Sequence, residues 1–192
     1  GYELFFGDLH RHTDLSLCYV PTDGTMEDAY RYAIDVAKLD FLGITDHSRD
    51  IAEGNANSLL WWRCRKEVSR HTLLSSLIGM YAYEHSRGGE DHNVISLRPD
   101  LLRPDTMPFP QLWAQMDGDT FTIPHQTGAP PIPASGEIPL SMDVKTWSYG
   151  DNAHRPLMEI YQGCRDREIA GDARLGLSKG HIFGFIASSD HL

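Results

Sequence analysis

Short apolar runs recur along the chain at residues 4–9, 41–45, 78–83, 93–97, 121–124, 157–161 and 181–187, and each reads as a strand. Between the first two the period changes. Met26, Ala29, Tyr30, Ala33, Ile34 and Ala37 fall on one face at helical spacing, which predicts a helix over 26–38. Thr25 and Asp28 have the spacing of its capping box. Further helices are predicted over 57–71, 108–116 and 168–179, the last weakened by Gly171 and Gly176. The segment 126–156, with Pro130, Pro131, Pro133 and Pro139, breaks the rhythm as one long loop, with 143–147 as a candidate element inside it. Strands alternating with helices imply a mainly parallel sheet, open or closed into a barrel, with its ligand site at the carboxyl ends of the strands.

Those ends carry the candidate chemistry. The first run ends in His10-Arg11-His12, and residues two apart on a strand share a face, so both imidazoles can converge on one ion. The second ends in Thr45-Asp46-His47 and the third in Glu84-His85. Glu90-Asp91-His92 leads into the fourth, His125 closes the fifth, and Asp190-His191 closes the last. Each residue alone has an ordinary structural reading, as a strand-end hydrogen-bonded pair, a buried histidine or a helix cap. Together, neutral imidazole and carboxylate at nearly every strand terminus make the donor set of zinc, iron or manganese. Glu84 is the natural carboxylate to bridge two ions.

Composition narrows the function classes. A domain of 192 residues, 41% hydrophobic and 23% charged, is ordinary for a single soluble globular unit spanning 1–192. Its formal charge of −10 argues against nucleic acid, whose phosphates are held by clustered Lys and Arg. No run is long enough to span a bilayer. Cys18, Cys64 and Cys164 are odd in number and far apart, so neither a disulfide framework nor a zinc knuckle is implied. The chain begins at Gly1 without a methionine, which leaves bacterial cytoplasm and periplasm equally open, and the oligomeric state is not legible.

The segments GDLHRHTDLS, DFLGITDHS, YAYEHSRGGEDHNVIS, TIPHQTG, PLMEIYQ and FGFIASSDHL resemble, in order, the motifs of the PHP (polymerase and histidinol phosphatase) superfamily, nearest its bacterial DUF3604-type branch. The resemblance runs from Asp8 to the last residue. It implies a distorted (β/α)7 TIM-like barrel holding two or three divalent ions in its mouth. Carried over by motif, His10, His12, Glu84 and Asp190 would hold the first ion, and Glu84, His92 and His125 the second. His47 and His191 would hold a third. Two positions depart from the family pattern. Cys18 stands where a histidine is common, and is either a thiolate ligand favouring zinc or a small buried residue. The closing motif is commonly D-x-H, whereas Asp190 and His191 are adjacent, so the chain must turn at Asp190 if both bind. The family's barrel normally continues into a covering helix, so a chain stopping at Leu192 suggests part of a longer protein.

The resemblance implies a phosphate ester as the small-molecule substrate. Two ions roughly 3.5–4 Å apart can hold a bridging hydroxide as nucleophile. Catalytic roles then fall to Glu84, Asp190 and His191, with His191, His85 or Asp46 as the acid for the leaving oxygen. By position in the sequence Arg49 and Arg165 are either candidates to meet phosphate or solvated surface arginines, and Trp147, in the long loop, is the tryptophan expected to touch substrate. Arg11 is expected to point outward or into a salt bridge, Glu159 to be a buried structural carboxylate, and Asp8 to orient a ligand imidazole. Two other readings stand beside this one: an amidohydrolase-like enzyme acting on a non-phosphate bond, and a non-catalytic metal-binding barrel module. No lysine ends a strand to serve as the carboxylated ligand of the former.

Overall fold

A computed structural model describes all residues except 19–20, 53, 74–75, 88–89, 100–106, 127–144, 150–151, 164–166, 169 and 192. In chain order the elements are β1 (Gly7–Asp8), α1 (Met26–Arg31) running into a π-helical stretch (Tyr32–Ala37), β2 (Phe41–Gly43), α2 (Ser48–Ala52) and α3 (Gly54–His71). They continue with β3 (Ile78–Arg87), β4 (Glu90–Ser96), α4 (Phe109–Trp113), β5 (Thr120–Gln126), a 3₁₀ turn (Lys145–Trp147), β6 (Leu157–Gln162), β7 (Arg167–Glu168), α5 (Ala170–Ser178) and β8 (Gly184–Ser188). The Thr25–Asp28 capping box forms as the spacing predicts. The strand predicted over 4–9 shrinks to Gly7–Asp8, and Leu4, Phe5 and Phe6 lie exposed before it.

The strands form a mixed five-stranded sheet in the order β1-β2-β3-β4-β5 and a three-stranded sheet in the order β7-β6-β8. This is a curled half-barrel with few helices, and it overturns the expected (β/α)7 barrel. Among the described strands pairing is parallel across β1–β2–β3 and β6–β8, whereas β3–β4, β4–β5 and β6–β7 are antiparallel. The physical reason lies in the sequence between β3 and β4. Arg87 pairs with Glu90, so only Gly88 and Gly89 separate the two strands, and a crossover helix has no room.

Strand alternation divides the interior. Tyr81, Tyr83 and Val94 face outward and pack with Met26, Tyr30, Ile51, Trp61, Phe109 and Trp113 in the largest core cluster. Ala82 and Ile95 face the other way, with Leu9 and Ile123, and line the inside of the curl. Glu84 follows Ala82 on that inner face. Past the ends of the parallel strands the chain continues in bridge-like contacts. Thr45 N–H donates to Arg11 O at 2.8 Å, Glu84 N–H to Asp46 O at 3.1 Å, and Asp190 N–H to His10 O at 2.8 Å. The carboxyl ends of β1, β2, β3 and β8 are thereby held side by side. Among the described residues no helix is long and apolar enough to cross a membrane.

Candidate metal centre

His10 and His12 leave β1 pointing into the curl, and Asp190 meets them from the end of β8. Asp190 sits at φ 64°, a left-handed conformation that Asp adopts more readily than most residues. That turn brings the adjacent Asp190 and His191 to the same cluster, as joint binding requires. Asp190 Oδ1 lies 3.3 Å from His10 Nε2, 3.2 Å from His12 Nε2 and 3.5 Å from His191 Nε2. Glu84 Oε2 lies 3.1 Å from His12 Nε2 and 3.2 Å from His47 Nδ1, while Oε1 lies 3.1 Å from His125 Nε2. Each oxygen of Glu84 therefore faces a different set of imidazoles.

The tautomers follow from the outer hydrogen bonds. His10 Nδ1–H donates to Glu159, 3.0 and 3.2 Å from its two oxygens, which leaves Nε2 a lone pair. The Ser16 hydroxyl gives its one proton to Asp46 Oδ1 at 2.9 Å and accepts from His47 N–H at 2.9 Å. Its remaining lone pair takes the His12 Nδ1–H at 3.1 Å, so His12 Nε2 is also a lone pair. These two Nε2 atoms stand 3.3 Å apart. Two lone pairs and two carboxylate oxygens converging at 3.1–3.9 Å repel one another unless protons or a cation lie between them. Donors placed tetrahedrally about 2.1 Å from a zinc ion are about 3.4 Å from each other. The donor set and its spacing thus fit a divalent ion. His10, His12 and Asp190 form one such group, His10, Glu84 and His125 a second, and His12, Cys18 and His47 a third.

The cluster's electrostatics match. Burial pushes the Glu84 carboxyl up, but hydrogen bonds from His12 and His125 outweigh it and hold it well below the usual range. Burial pulls His125 down, yet the hydrogen bond to Glu84 and its charge lift it to about 9. His12 is likewise raised well above an ordinary histidine against its burial, by Asp190, Cys18 and Glu84. Burial raises the Cys18 thiol, but hydrogen bonds with His12, His191 and His47 bring it down to about 4. Beside the cluster lies a cavity of about 170 Å³ lined by His10, His47, Glu84, Asp91, His125, Gln162 and Asp190.

Several expectations are corrected. His92 does not join the cluster. It pairs with His85 across the β3–β4 hairpin, on the face opposite Glu84, and stacks on Phe109 with ring centroids 3.9 Å apart. Neither of its ring nitrogens has a hydrogen-bond partner among the described residues. His85 is turned away too, its ring 2.7 Å from Met107 O. Asp46 is occupied by Thr13 and Ser16. Of the candidate acids, only His191 reaches the cluster. Trp147 is 3% exposed and packs with Met158, Ala173 and Leu175. Arg49 is exposed beside Asp50 and is not among the residues lining the cavity. Arg165 lies outside the described residues. Arg11 is buried and donates to Asp23 O at 3.0 Å.

Other functional residues stand where the sequence pattern does not point. Glu159, not Asp8, orients His10, and Asp8 instead accepts from the backbone N–H groups of His10 and Ser189. Glu159 is carried at a register shift where β6 pairs with β8. His125 is the extra residue of a bulge, since His92 pairs with Pro124 while Asp91 pairs with Gln126. The bulge aims His125 at Glu84. Ser16 and Asp23, which fix His12 and His191, carry no motif; Ser16 could be found from its place four residues after His12, whereas Asp23 lies 168 residues from His191.

No family model matches the chain, and no curated protein does. The crystal structure of PsfC from Pseudomonas syringae PB-5123 is similar in fold, at a TM-score of 0.53 and 13% identity. The match covers 97% of this chain and 77% of that one. The likeness at this identity is one of fold alone.

Proposed function

We propose that the chain is a metal-dependent hydrolase of the PHP type, acting on a phosphate ester. What supports the reading is the convergence of His10 Nε2, His12 Nε2, Glu84 and Asp190, with the remaining ring protons of both histidines already held by Glu159 and Ser16. The ordered motifs support it through their side chains rather than through a barrel topology. His10, His12 and Asp190 would hold one ion and Glu84 with His125 a second, zinc, manganese or iron all suiting this donor set. Bound divalent ions supply Lewis acidity toward a phosphoryl oxygen and make a water acidic enough to attack near neutral pH.

The chain's own contribution is preorganisation. Glu159 and Ser16 lock the two imidazoles of the H-x-H pair. Glu84 divides its oxygens between His125 on one side and His12 and His47 on the other, the disposition a bridging carboxylate needs. The cavity wall carries Asp91 and Gln162 but, among the described residues, no Arg or Lys. Phosphate charge would thus be met at the ligand cluster and not by a guanidinium.

The test is a panel of phosphomonoesters and phosphodiesters, beside amide and lactone substrates, with zinc or manganese added back to chelated protein. Metal-dependent phosphoester turnover that is lost in Glu84→Ala is expected. Turnover intact in Glu84→Ala, preference for the amide or lactone substrates, or less than about one metal equivalent per chain overturns the proposal.

A further inference from the structure

We propose that Asp91 and Gln162 form a subsite for a hydroxyl-bearing leaving group, so that the substrate is the phosphomonoester of a small polyol. The inference rests on the phosphoester reading above and names the part of the substrate beyond the phosphate. Asp91 stands near the start of β4 in the five-stranded sheet, and Gln162 ends β6 in the three-stranded sheet. Both line the cavity of about 170 Å³ whose remaining wall is the ligand cluster. Gln162 is 3% exposed, and neither side chain has a hydrogen bond or ion pair among the described residues. A carboxamide this buried needs partners from whatever fills the cavity.

The register of the β3–β4 hairpin sets the reach. Glu84 pairs with Asn93 and Ser86 with Asp91, so Asp91 stands on the face of Glu84, one rung further on. Two residues of strand measure about 6.8 Å. Asp91 belongs to none of the groups whose donor atoms gather within 4.8 Å of one another. It therefore stands apart from the ligands, and a phosphate held at Glu84 leaves room for a short carbon chain before Asp91 is met.

The donor and acceptor pattern selects the chain's substituents. A carboxylate only accepts hydrogen bonds, whereas a carboxamide both donates and accepts. Vicinal hydroxyls do both as well, so one can donate to Asp91 while its neighbour exchanges hydrogen bonds with Gln162. An alkyl group satisfies neither residue. A second carboxylate or phosphate meets an acceptor with nothing to donate, and among the described residues no Arg or Lys lines the cavity to compensate. An ammonium leaves the Gln162 N–H groups without an acceptor. The volume falls below the roughly 300 Å³ at which pockets for drug-sized ligands begin, which restricts the alcohol to a few carbons.

The experiment is calorimetric binding of non-hydrolysable phosphonates to the metal-loaded full chain, comparing 3,4-dihydroxybutylphosphonate with butylphosphonate and 4-aminobutylphosphonate. The diol should bind at least about tenfold more tightly than either. Asp91→Ala and Gln162→Leu should each collapse that ratio while metal content by elemental analysis stays as in the wild type. The wild-type comparison decides the matter alone if a variant fails to fold. Equal affinity for diol and alkyl compounds, tighter binding of the amine, or a ratio undiminished in both variants overturns this inference alone. A chain that takes up no metal, or binds no phosphonate once loaded, overturns the proposed function with it. A diol preference in a protein that turns over no phosphoester overturns only the proposed function.

Discussion

Replacing Glu159 by Gln isolates the contribution of one buried charge to the centre. Glu159 is 0% exposed, and both its oxygens lie within 3.2 Å of His10 Nδ1. The Gln side chain is the same size and its carbonyl can still accept the Nδ1–H, so the imidazole should stay in place while the negative charge behind it vanishes. Burial pushes the Glu159 carboxyl up, but His10 and His125 hold it below its ordinary value, so it is charged at neutral pH. Losing such a partner of a metal-bound histidine costs about 10- to 100-fold in metal affinity, or about 1.4–2.7 kcal/mol. Glu159→Gln should fall near the lower figure and Glu159→Leu, which removes the acceptor, near the upper. The assay is competition for zinc against a chromophoric chelator, with circular dichroism confirming that each variant is folded. Unchanged affinity in Glu159→Leu would refute the orienting role, and equal losses in both variants would show that the charge matters and the hydrogen bond adds nothing to it.

Metal binding should tighten as pH rises from about 6 to 9, because an ion must displace the protons that Glu84 and Asp190 hold on His125 and His12; calorimetry in buffers of different ionisation enthalpy should detect proton release. The sign reverses for the metal-free protein. His125, raised in the fold to about 9, contributes stability that is complete below its unfolded value near 6.5 and is lost as pH climbs through 9, so the metal-free melting temperature should drop over that window. His92→Leu should leave metal stoichiometry unchanged and stability equal or higher, since it replaces a buried ring whose nitrogens lack partners among the described residues; loss of an ion would restore His92 as a ligand. Trp147→Ala should cost about 3–5 kcal/mol in urea unfolding while leaving KM for any substrate unchanged, because the ring is core and not cavity wall.

The strand-end histidines and carboxylates are legible in the sequence because the residues that end strands are read locally, and most of them do converge: His10, His12, His47, Glu84, His125, Asp190 and His191. Topology is not legible from the same pattern. Alternating strands and helices suggest crossovers throughout, whereas the Gly88-Gly89 pair is a hairpin signal that outweighs them locally. The hairpin also decides the place of His92, since reversing β4 turns its residues by the pairing with β3 and puts Asn93, not His92, opposite Glu84. Glycines weaken the helix predicted over 168–179, yet a side chain at Gly176 would meet the Trp147 ring at 2.9 Å, so the residue that weakens the helix is what lets the loop pack on it. The roles of Glu159 and Asp23 are hidden for a different reason: their partners lie 149 and 168 residues away.

That long reach has a thermodynamic consequence at Asp190. Its carboxylate and backbone join residues near the start of the chain, with Asp190 N–H on His10 O and His12 N–H on Asp190 O. An ion shared by His10, His12 and Asp190 would close the loop that runs from His12 to Asp190, whose closure entropy is roughly 4–5 kcal/mol. The cation would act as a clasp that couples the two ends of the fold. Chelation should therefore loosen β1 and β8 first, and hydrogen exchange at Arg11, His12 and Asp190 should report the loss before the β3–β4–β5 sheet opens.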